Sequence, residues 1–280
     1  MPDLLLGYNT NGFAHHRLED ALEIVAELGY RAVAITLDVH HLDPFRAGLG
    51  DRVEAVRARL ERLGLVPVVE TGARYILDPR AKHEPTLVSL DAAGRERRLD
   101  YLFRSVDLAS ELGAGVVSFW SGRLAPSAGP EQARDHLVDG CRRLADRAEE
   151  KGVDLAFEPE PGMMIERASD YPELAAAVGS PRFRLTLDVG HLLLTGEPMA
   201  ATIRRFRDSL ANVHIEDMKR PVHEHLMFGE GEVPFPEALG ALVEIGFRGP
   251  VTVELSRHSH AAPEAAARAK RFLDATLRAL

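Results

Sequence analysis

Eight short apolar runs alternate with longer amphipathic stretches along the chain. Each run is rich in Val, Leu and Ala, and each precedes a stretch whose apolar residues recur at helical spacing. The runs lack a strict two-residue alternation, as expected for parallel strands that helices cover. The predicted strands cover residues 4–7, 32–38, 65–70 and 114–120, and the later four end at Glu158, Asp188, near His214 and at Glu254.

The stretches between the runs predict one helix after each strand. These helices cover residues 18–28, 51–63, 95–112, 130–151, 171–178, 199–210, 236–245 and 263–280. Eight strand–helix units in 280 residues, with no linker-like segment, fit the size and order of an eight-unit barrel. We therefore expect an α/β protein that forms a single (β/α)8 TIM-barrel domain over residues 1–280.

One predicted connection is much longer than the others. The residues at about 71–94 separate the third strand from its helix and mix charged side chains with turn formers. Loops of this length without regular structure are uncommon in compact domains and are usually functional or disordered. We expect this loop to act as a lid over the barrel mouth, and a plain surface excursion is the alternative.

Four potential metal ligands close four successive predicted strands, namely Glu158, Asp188, His214 and Glu254. In a closed parallel barrel the carboxyl ends of the strands converge on one mouth, where such enzymes carry their chemistry. Any one of these residues alone could instead cap a helix or form a loop ion pair. Together, two Glu, one Asp and one His suit a divalent ion such as Mn, Mg, Co or Zn.

Further polar residues lie close to two of these ligands. His191 comes three residues after Asp188, and we expect it to bind substrate or orient a ligand more than to ligate metal itself. Glu160 shares the strand parity of Glu158 and lies beyond the tip, so it is expected to contact substrate or to cap the loop.

The stretch after the seventh strand is dense in charge. Lys219 and Arg220 would place positive charge beside a metal, where they would recognise a substrate oxyanion or hydroxyl, or pair with Asp217. His223 and His225 follow closely. Two imidazoles at this spacing are candidates for binding a second metal ion.

Strands one to four are expected to build the substrate wall of the mouth. The candidate residues there are Asn9, His40, Glu70 and Trp120, although only one of the adjacent His40 and His41 can face inward. Trp120, the only tryptophan, would stack on a sugar C–H face or plug the barrel top. Four cations predicted near the mouth favour an anionic substrate, unless they balance neighbouring acids: Arg74, Lys82, Arg123 and Arg257.

The amino-acid composition narrows the classes of molecule that this protein is expected to bind and its expected location. The formal net charge of −9 argues against nucleic acid, since proteins that bind it usually carry a basic surface. Cys141 is the only cysteine, so no intramolecular disulfide can form and a reducing cytoplasmic location is expected. The first residues lack a signal-peptide pattern, and no apolar run approaches the ~18 residues of a membrane span. A small-molecule substrate is the expected partner.

The sequence resembles the xylose isomerase-like TIM barrel superfamily, in its sugar (phosphate) isomerase/epimerase branch. The resemblance covers most of the chain and is strongest from about residue 150 to 256. Its motifs are AFEPEPG with Glu158, LDVGH with Asp188 and His191, NVHIED with His214, the GEGEVPF turn, and TVEL with Glu254.

This resemblance implies roles for individual residues. Glu158 and Glu254 would ligate the metal and also act as acid and base on opposite faces of a sugar carbon. His191 and Arg220 would contact the substrate. Dimers and tetramers are common among such barrels, which makes a homo-oligomer an expectation.

The leading functional hypothesis is an isomerase or epimerase of a small polyhydroxy carbonyl compound that acts through a metal-stabilised enediolate. A dehydratase of a cyclic polyol ketone or related acid would share the first, enolising step. A non-catalytic binding barrel is a third reading. An apurinic-site endonuclease is disfavoured, because the third and fourth strands end in Glu70 and Trp120 where its metal cluster needs histidines.

Overall fold

A computed structural model describes residues 4–280 and shows a closed barrel of eight parallel strands with helices between them. The barrel strands are β1 (Leu5–Asn9), β2 (Ala32–Thr36), β3 (Val66–Glu70), β4 (Val116–Phe119), β5 (Asp154–Phe157), β6 (Phe183–Asp188), β7 (Leu210–Ile215) and β10 (Pro250–Val253). Two further strands, β8 (Asp217–Lys219) and β9 (Val222–Leu226), form a separate antiparallel pair. The order around the barrel is β1-β10-β7-β6-β5-β4-β3-β2. The predicted (β/α)8 fold is confirmed.

The helices surround the barrel and bury their apolar faces against it. They are α1 (Leu18–Glu27), α2 (Leu49–Leu63), α3 (Ala92–Leu112), α4 (Pro130–Lys151), α5 (Tyr171–Val178), α6 (Val189–Thr195), α7 (Met199–Arg205), α8 (Phe235–Glu244) and α9 (Ala262–Ala279). In α4, Leu137, Leu144 and Ala148 recur at helical spacing and are fully or almost fully buried. Each buried Leu contributes about 1.5–3 kcal/mol of transfer free energy. Among the helices of residues 4–280, none has the length and apolar character needed to cross a membrane.

The chain after β6 departs from the predicted pattern. Asp188 ends the strand and also caps α6, because its Oδ1 accepts a hydrogen bond from the His191 N–H at 2.8 Å. This seven-residue helix was not predicted, since two turns carry too little periodicity to detect. The helix predicted for residues 199–210 ends at Arg205, because Leu210 already begins β7.

The β8–β9 hairpin was also not predicted, and Asp217 fixes it above the barrel. The Asp217 carboxylate accepts hydrogen bonds from the backbone N–H groups of Gly229, Gly231 and Val233 at 2.9, 2.8 and 3.0 Å. A Cβ on Gly231 would lie 2.3 Å from Asp217 Oδ1 and 2.4 Å from the Met218 carbonyl oxygen. Only glycine therefore fits where this turn approaches the hairpin.

A bulge sets the register between β6 and β7. Leu185 lies opposite Leu210, but Thr186 lies opposite Asn212, so Ala211 is an extra residue on β7. The shifted register continues to the strand ends and places Asp188 opposite His214. Neighbours in register on parallel strands point to the same face of the sheet. The bulge therefore brings these two side chains together at the mouth.

The long connection between β3 and α3 runs from residue 71 to Asp91, which caps α3. Its His83 contacts the Gly72 carbonyl oxygen through Nδ1 at 2.6 Å, and Ala73 is fully buried. Five residues of this loop line the cavity at the barrel mouth: Thr71, Gly72, Arg74, Lys82 and His83. The loop thus lies at the mouth, and its action as a lid stays a prediction.

Candidate active site and metal centre

A cavity of about 320 Å³ opens at the carboxyl ends of the barrel strands. This volume is in the range of sites for small molecules. Each of the eight barrel strands contributes at least one lining residue at or just beyond its end: Asn9, Thr36, Glu70, Trp120, Glu158, His191, His214 and Glu254.

The structure brings the four candidate ligands into one cluster. One ligand atom each from Glu158, Asp188, His214 and Glu254 lies within 4.8 Å of the others. His214 Nδ1 is 3.1 Å from both Glu158 Oε1 and Glu254 Oε2. The side chains meet because each leaves its strand at the same end of the barrel. This arrangement is the one expected from the sequence.

The chemistry of this cluster fits a divalent cation. Asp188 Oδ2 is buried and has no hydrogen-bond partner among residues 4–280. Within the same part of the chain, histidines are the only ion-pair partners of Glu158, Asp188 and Glu254. Three carboxylates and an imidazole that converge without a permanent cation need a proton or a metal ion to offset their desolvation.

Glu70 orients the histidine of this cluster. His214 Nε2 lies 2.8 Å from Glu70 Oε1, and Asn212 Nδ2 donates to the same oxygen at 3.3 Å. Nε2–H donation to Glu70 would leave the Nδ1 lone pair free for a metal ion. In the protein alone, burial lowers the pKa of His214, but Glu70, Glu158 and Glu254 outweigh it and raise that pKa well above its ordinary value. Glu70 was expected to bind substrate; it lines the cavity and contacts His214, and its contact with substrate stays a prediction.

Electrostatic surroundings differ between the two glutamates. Burial raises the pKa of Glu158 to about 8, although His214 opposes the rise. Burial would also raise the pKa of Glu254, but His225 and His214 outweigh it and hold that pKa well below its ordinary value. Asn11 Nδ2 further donates to Glu254 Oε1 at 2.8 Å. Carboxyl groups whose surroundings push their pKa values apart are typical of acid–base sites.

His191 and Glu160 lie beside the cluster, as expected. His191 Nδ1 is 3.2 Å from the Pro159 carbonyl oxygen, and its Nε2 is 3.1 Å from His223 Nε2. Burial lowers the pKa of His191, so the neutral imidazole is favoured. Glu160 lines the cavity, and burial together with Glu158 raises its pKa well above the ordinary value.

Asn9 and Trp120 form part of the opposite wall. Asn9 Oδ1 accepts hydrogen bonds from Thr36 Oγ1 at 2.7 Å and from the Asn11 N–H at 3.0 Å. Trp120 is 7% exposed, and the buried Arg98 guanidinium stacks 4.6 Å from the centre of its ring. Sequence reasoning missed Arg98, which lies inside a helix and shows no motif.

Three of the expected substrate contacts lie elsewhere. Lys219 and Arg220 are exposed at the turn of the β8–β9 hairpin, and Arg220 pairs with Glu232 at 3.0 Å. Neither residue is among those that line the cavity. His40 is exposed on the turn after β2, while His41 is buried against Thr10, and neither of them lines the cavity. Lys219, Arg220 and His40 therefore lie outside the cavity lining, and their expected contacts with substrate stay predictions.

The two later histidines have different surroundings. His223 faces His191, whereas His225 contacts the Glu254 carbonyl oxygen through Nδ1 at 2.9 Å. A second cluster combines His225 with Glu254 and Glu216, again with ligand atoms within 4.8 Å. Glu216 was missed, although it lies two residues after His214 and therefore shares its strand parity.

Comparisons with known proteins agree with this architecture. The family model described as xylose isomerase-like TIM barrel matches residues 22–276. A fructoselysine 3-epimerase of Shigella flexneri is 26% identical over 261 residues, which cover 89% of this chain and 89% of that protein. An inosose dehydratase of Lacticaseibacillus casei is 28% identical over 162 residues, which cover 51% of this chain and 54% of that protein.

Among solved structures, a D-allulose 3-epimerase from Methylomonas sp. superimposes with a TM-score of 0.79. The two sequences are 21% identical, and the match covers 98% of each chain. At this identity the similarity shows the fold.

Proposed function

The chain belongs to the xylose isomerase-like TIM barrel family, and on that premise we propose that it is a divalent-metal-dependent isomerase or epimerase. Its substrate would be a small sugar or sugar-like polyhydroxy carbonyl compound. The observation that carries this proposal is the convergence of Glu158 and Glu254 on His214 from β5 and β10, which lie on either side of β6 and β7. The similarity to a fructoselysine 3-epimerase supports it.

Glu158, Asp188, His214 and Glu254 would hold the divalent ion. When bound, the ion would polarise a substrate carbonyl and its adjacent hydroxyl, which acidifies the neighbouring C–H bond. The chain's own contribution is to fix the four ligands at strand ends and to hold the His214 tautomer through Glu70.

The two glutamates carry the proton transfer in this mechanism. One carboxylate removes the proton from the acidified carbon, and the bonding electrons remain on the substrate as an enediolate. The other carboxyl group gives a proton to the opposite face of the same carbon, which inverts its configuration. One proton leaves and one returns, so no co-reactant is consumed. Since the reverse direction uses the same groups, Glu158 and Glu254 each serve as acid and as base.

The remaining cavity residues would position the substrate. Glu160 and His191 lie beside Glu158, where they would hydrogen-bond substrate hydroxyls. Trp120 lines the cavity just beyond β4, and its ring would suit the C–H face of a sugar. The loop of residues 71–91 would exclude water from the enediolate, which preserves it until the proton returns.

A dehydratase acting on a cyclic polyol ketone is the second candidate, favoured by the similarity to an inosose dehydratase over about half of this chain. It would share the enolisation step. Departure of a β-hydroxyl group as water would then replace the return of a proton to carbon. An enone product that absorbs ultraviolet light would identify this reaction, since an epimer has no such chromophore.

The test combines metal analysis with proton exchange. Protein purified without added metal would be analysed for Mn, Mg, Co and Zn, and then screened in D2O by NMR against ketoses, ketose phosphates and inosose-like ketones. The wild type should retain metal and place deuterium at the epimerised carbon. Glu158→Gln and Glu254→Gln should lose metal and lower the rate on the order of a thousandfold.

Glu166→Gln is the matched control, because Glu166 is an exposed carboxylate on the same loop as Glu160. It should keep both metal and exchange, and circular dichroism would check that every variant is folded. Exchange that survives in Glu158→Gln or Glu254→Gln would contradict the proposed roles. Protein that takes up no metal and gains no thermal stability from Mn, Co or Zn would exclude the metal-dependent mechanism.

A further inference from the structure

His83 lines the cavity from the long loop after β3, and no step of the proposed mechanism uses it. Its Nδ1 lies 2.6 Å from the Gly72 carbonyl oxygen. Because a carbonyl oxygen only accepts hydrogen bonds, Nδ1 is the ring nitrogen that carries the hydrogen. In a neutral ring, Nε2 then keeps its lone pair and acts as an acceptor. Within residues 4–280, the contact with Gly72 is the only hydrogen bond of this side chain, so Nε2 has no partner.

The surroundings of His83 keep its ring neutral. Burial is the main cause that lowers its pKa from the ordinary 6.5 to about 4, although the hydrogen bond to Gly72 opposes this change. The positive charges of Lys82, Arg98 and Arg74 lower the pKa further. The half-buried ring therefore offers an acceptor nitrogen at neutral pH.

The loop holds His83 in a backbone conformation that residues other than glycine rarely adopt. Its φ is 71°, in the left-handed region where a side chain is disfavoured. The backbone N–H donates to the Arg74 carbonyl oxygen at 2.6 Å, and the ring meets Trp120 edge to face with centres 5.5 Å apart. The backbone and the ring are thus both fixed by the protein itself. Residues kept in such conformations cluster at binding sites.

His191 shows the same arrangement with a different outcome. Its Nδ1 lies 3.2 Å from the Pro159 carbonyl oxygen, so this nitrogen also carries the hydrogen. Its Nε2 is 3.1 Å from His223 Nε2, which can donate a hydrogen bond to it. Within the described part of the chain, His83 has no such partner, so its acceptor is available to a ligand in the cavity.

We propose that His83 determines substrate specificity by accepting, at Nε2, a hydrogen bond from a substrate hydroxyl group beside Trp120. This inference rests on the proposed function, since it requires a polyhydroxy substrate in the same cavity. The hydroxyl lies away from the reacting carbon, because the ring of His83 contacts Gly72 and Trp120 and stands outside the four-ligand cluster. A carbonyl, an ether or a fully ionised phosphate has no hydrogen for Nε2, so the substrate carries a free hydroxyl at this point.

The tautomer of His83 is the first measurement. NMR of protein labelled with ¹⁵N in its histidines would be compared with the spectrum of His83→Asn, which lacks the ring signals of His83 and so assigns them. The wild type should show a hydrogen on Nδ1 and a bare lone pair on Nε2. A hydrogen on Nε2 would overturn the inference, because that nitrogen would then be a donor.

Deoxy analogues test the hydrogen bond to substrate. The probes are D-fructose and its analogues that each lack one hydroxyl group, and the ketose found in the screen above replaces D-fructose if D-fructose does not react. In the wild type, one analogue should show a KM about tenfold higher with kcat unchanged. In His83→Asn, the parent ketose should show the same rise and that analogue no further rise, because both changes remove one interaction.

The variant is chosen to remove Nε2 alone. Asn tolerates the left-handed conformation, and its amide can still donate to the Gly72 carbonyl oxygen. Arg80→Asn is the matched control, because Arg80 is exposed on the same loop and does not line the cavity. It should keep the wild-type KM for every probe. Fluorescence of Trp120, the only tryptophan, gives the Kd of each probe without turnover and should change in parallel with KM.

The outcomes separate this inference from the proposed function. If the wild type converts ketoses but the effects of His83→Asn and of every missing hydroxyl are additive, the inference is overturned and the proposed function stands. A wild type that converts no ketose overturns both. If His83→Asn does not fold, a crystal structure of the wild type with the ketose bound decides the question. A hydroxyl oxygen at about 3 Å from Nε2 supports the inference, and its absence overturns it.

Discussion

The barrel mouth has two halves that differ in how their side chains are held. The ligand half comprises the ends of β5, β6, β7 and β10 with the β8–β9 hairpin, and the wall half comprises the ends of β1 to β4 with the loop of residues 71–91. In the ligand half, carboxylates and imidazoles leave the strand tips and contact one another at about 3 Å, as His214 does with Glu158. In the wall half, amides, Trp120 and cations line the cavity, and a long loop supplies several of them.

This contrast shows how the position of a residue in the fold limits the substitutions that the residue tolerates. The register and packing of a strand fix the direction and position of a side chain at its end. Register and packing therefore determine where the side chains of the ligand half lie. A loop offers many paths of similar free energy, so the wall half can change its lining without moving the strands. We expect chemistry to depend on the ligand half and substrate choice to depend on the wall half. Four changes would test this contrast.

The same glycine-to-alanine change should have unequal effects in the two halves. In Gly231→Ala, the added methyl group would meet the Asp217 carboxylate and the Met218 backbone, and we expect a loss of about 3 kcal/mol in the free energy of unfolding. Gly72 lines the wall half, and a Cβ there would meet no atom within 4 Å. Gly72→Ala should therefore lower the free energy of unfolding by less than about 1 kcal/mol. Urea denaturation of both variants measures the difference, and equal losses would argue against a more rigid ligand half.

The Glu70 side chain extends from the end of β3 in the wall half to His214 in the ligand half, so its substitution should weaken metal binding. Glu70→Gln removes the carboxylate that accepts from His214 Nε2, and we expect a 10–100-fold weaker affinity for Mn²⁺. Thr36→Val, also at a strand end of the wall half, is the control and should leave that affinity within about twofold. A competition titration with a chelator measures both. An unchanged affinity in Glu70→Gln would mean that His214 is held in another way.

A lower pH should reduce the free energy of unfolding through His41, which lies on the turn after β2 of the wall half. Burial lowers the pKa of His41 from its ordinary 6.5 to about 4, so the folded chain favours the neutral ring. The unfolded chain binds the extra proton between these values, so stability is complete above about pH 6.5 and falls as the pH falls toward 4. The loss owed to His41 should reach about 2 kcal/mol at pH 5.

Urea midpoints at pH 7 and pH 5 would measure this loss. His41→Asn should reduce the difference between the two midpoints, whereas His40→Asn should not, because His40 is exposed. The same pH dependence in both variants would show that His41 titrates normally.

The smallest expected effect concerns the cations of the rim. Lys82 and Arg123 are exposed residues that line the cavity from the wall half. If the substrate is anionic, Lys82→Ala and Arg123→Ala should each raise KM up to about fivefold with kcat unchanged. Matched neutral and phosphorylated ketoses provide the comparison. Equal changes in KM for both compounds would mean that these cations do not select charge.

The sequence was informative where strand ends carry chemistry. The (β/α)8 order and the family resemblance are confirmed, because apolar runs and helical periodicity act over many residues. The convergence of the four ligand candidates follows from the barrel itself, since every strand end meets the same mouth. Their roles in catalysis stay predictions.

The sequence was less informative where the position of a residue depends on local turns. Lys219 and Arg220 follow His214 closely in sequence, but both lie exposed at the turn of a hairpin held by Asp217 and do not line the cavity. That hairpin depends on contacts with residues 229–233, which no local pattern reveals. His40 lies outside the cavity lining because β2 ends at Thr36, two residues earlier than the apolar run suggested. Glu216 carried a usable signal in its parity with His214 but was overlooked.

The register of β7 beyond its bulge makes the ligand half depend on the number of residues in that strand. Loss of the single codon for Val213, beyond the bulge, would leave Thr186 opposite Asn212 but bring Asp188 opposite Ile215 in place of His214. Because neighbours along a strand face opposite sides, every pairing beyond that point would be inverted. A deletion that touches no ligand would thus dismantle the metal centre. In this stretch, natural selection should act on residue number as strictly as on residue identity.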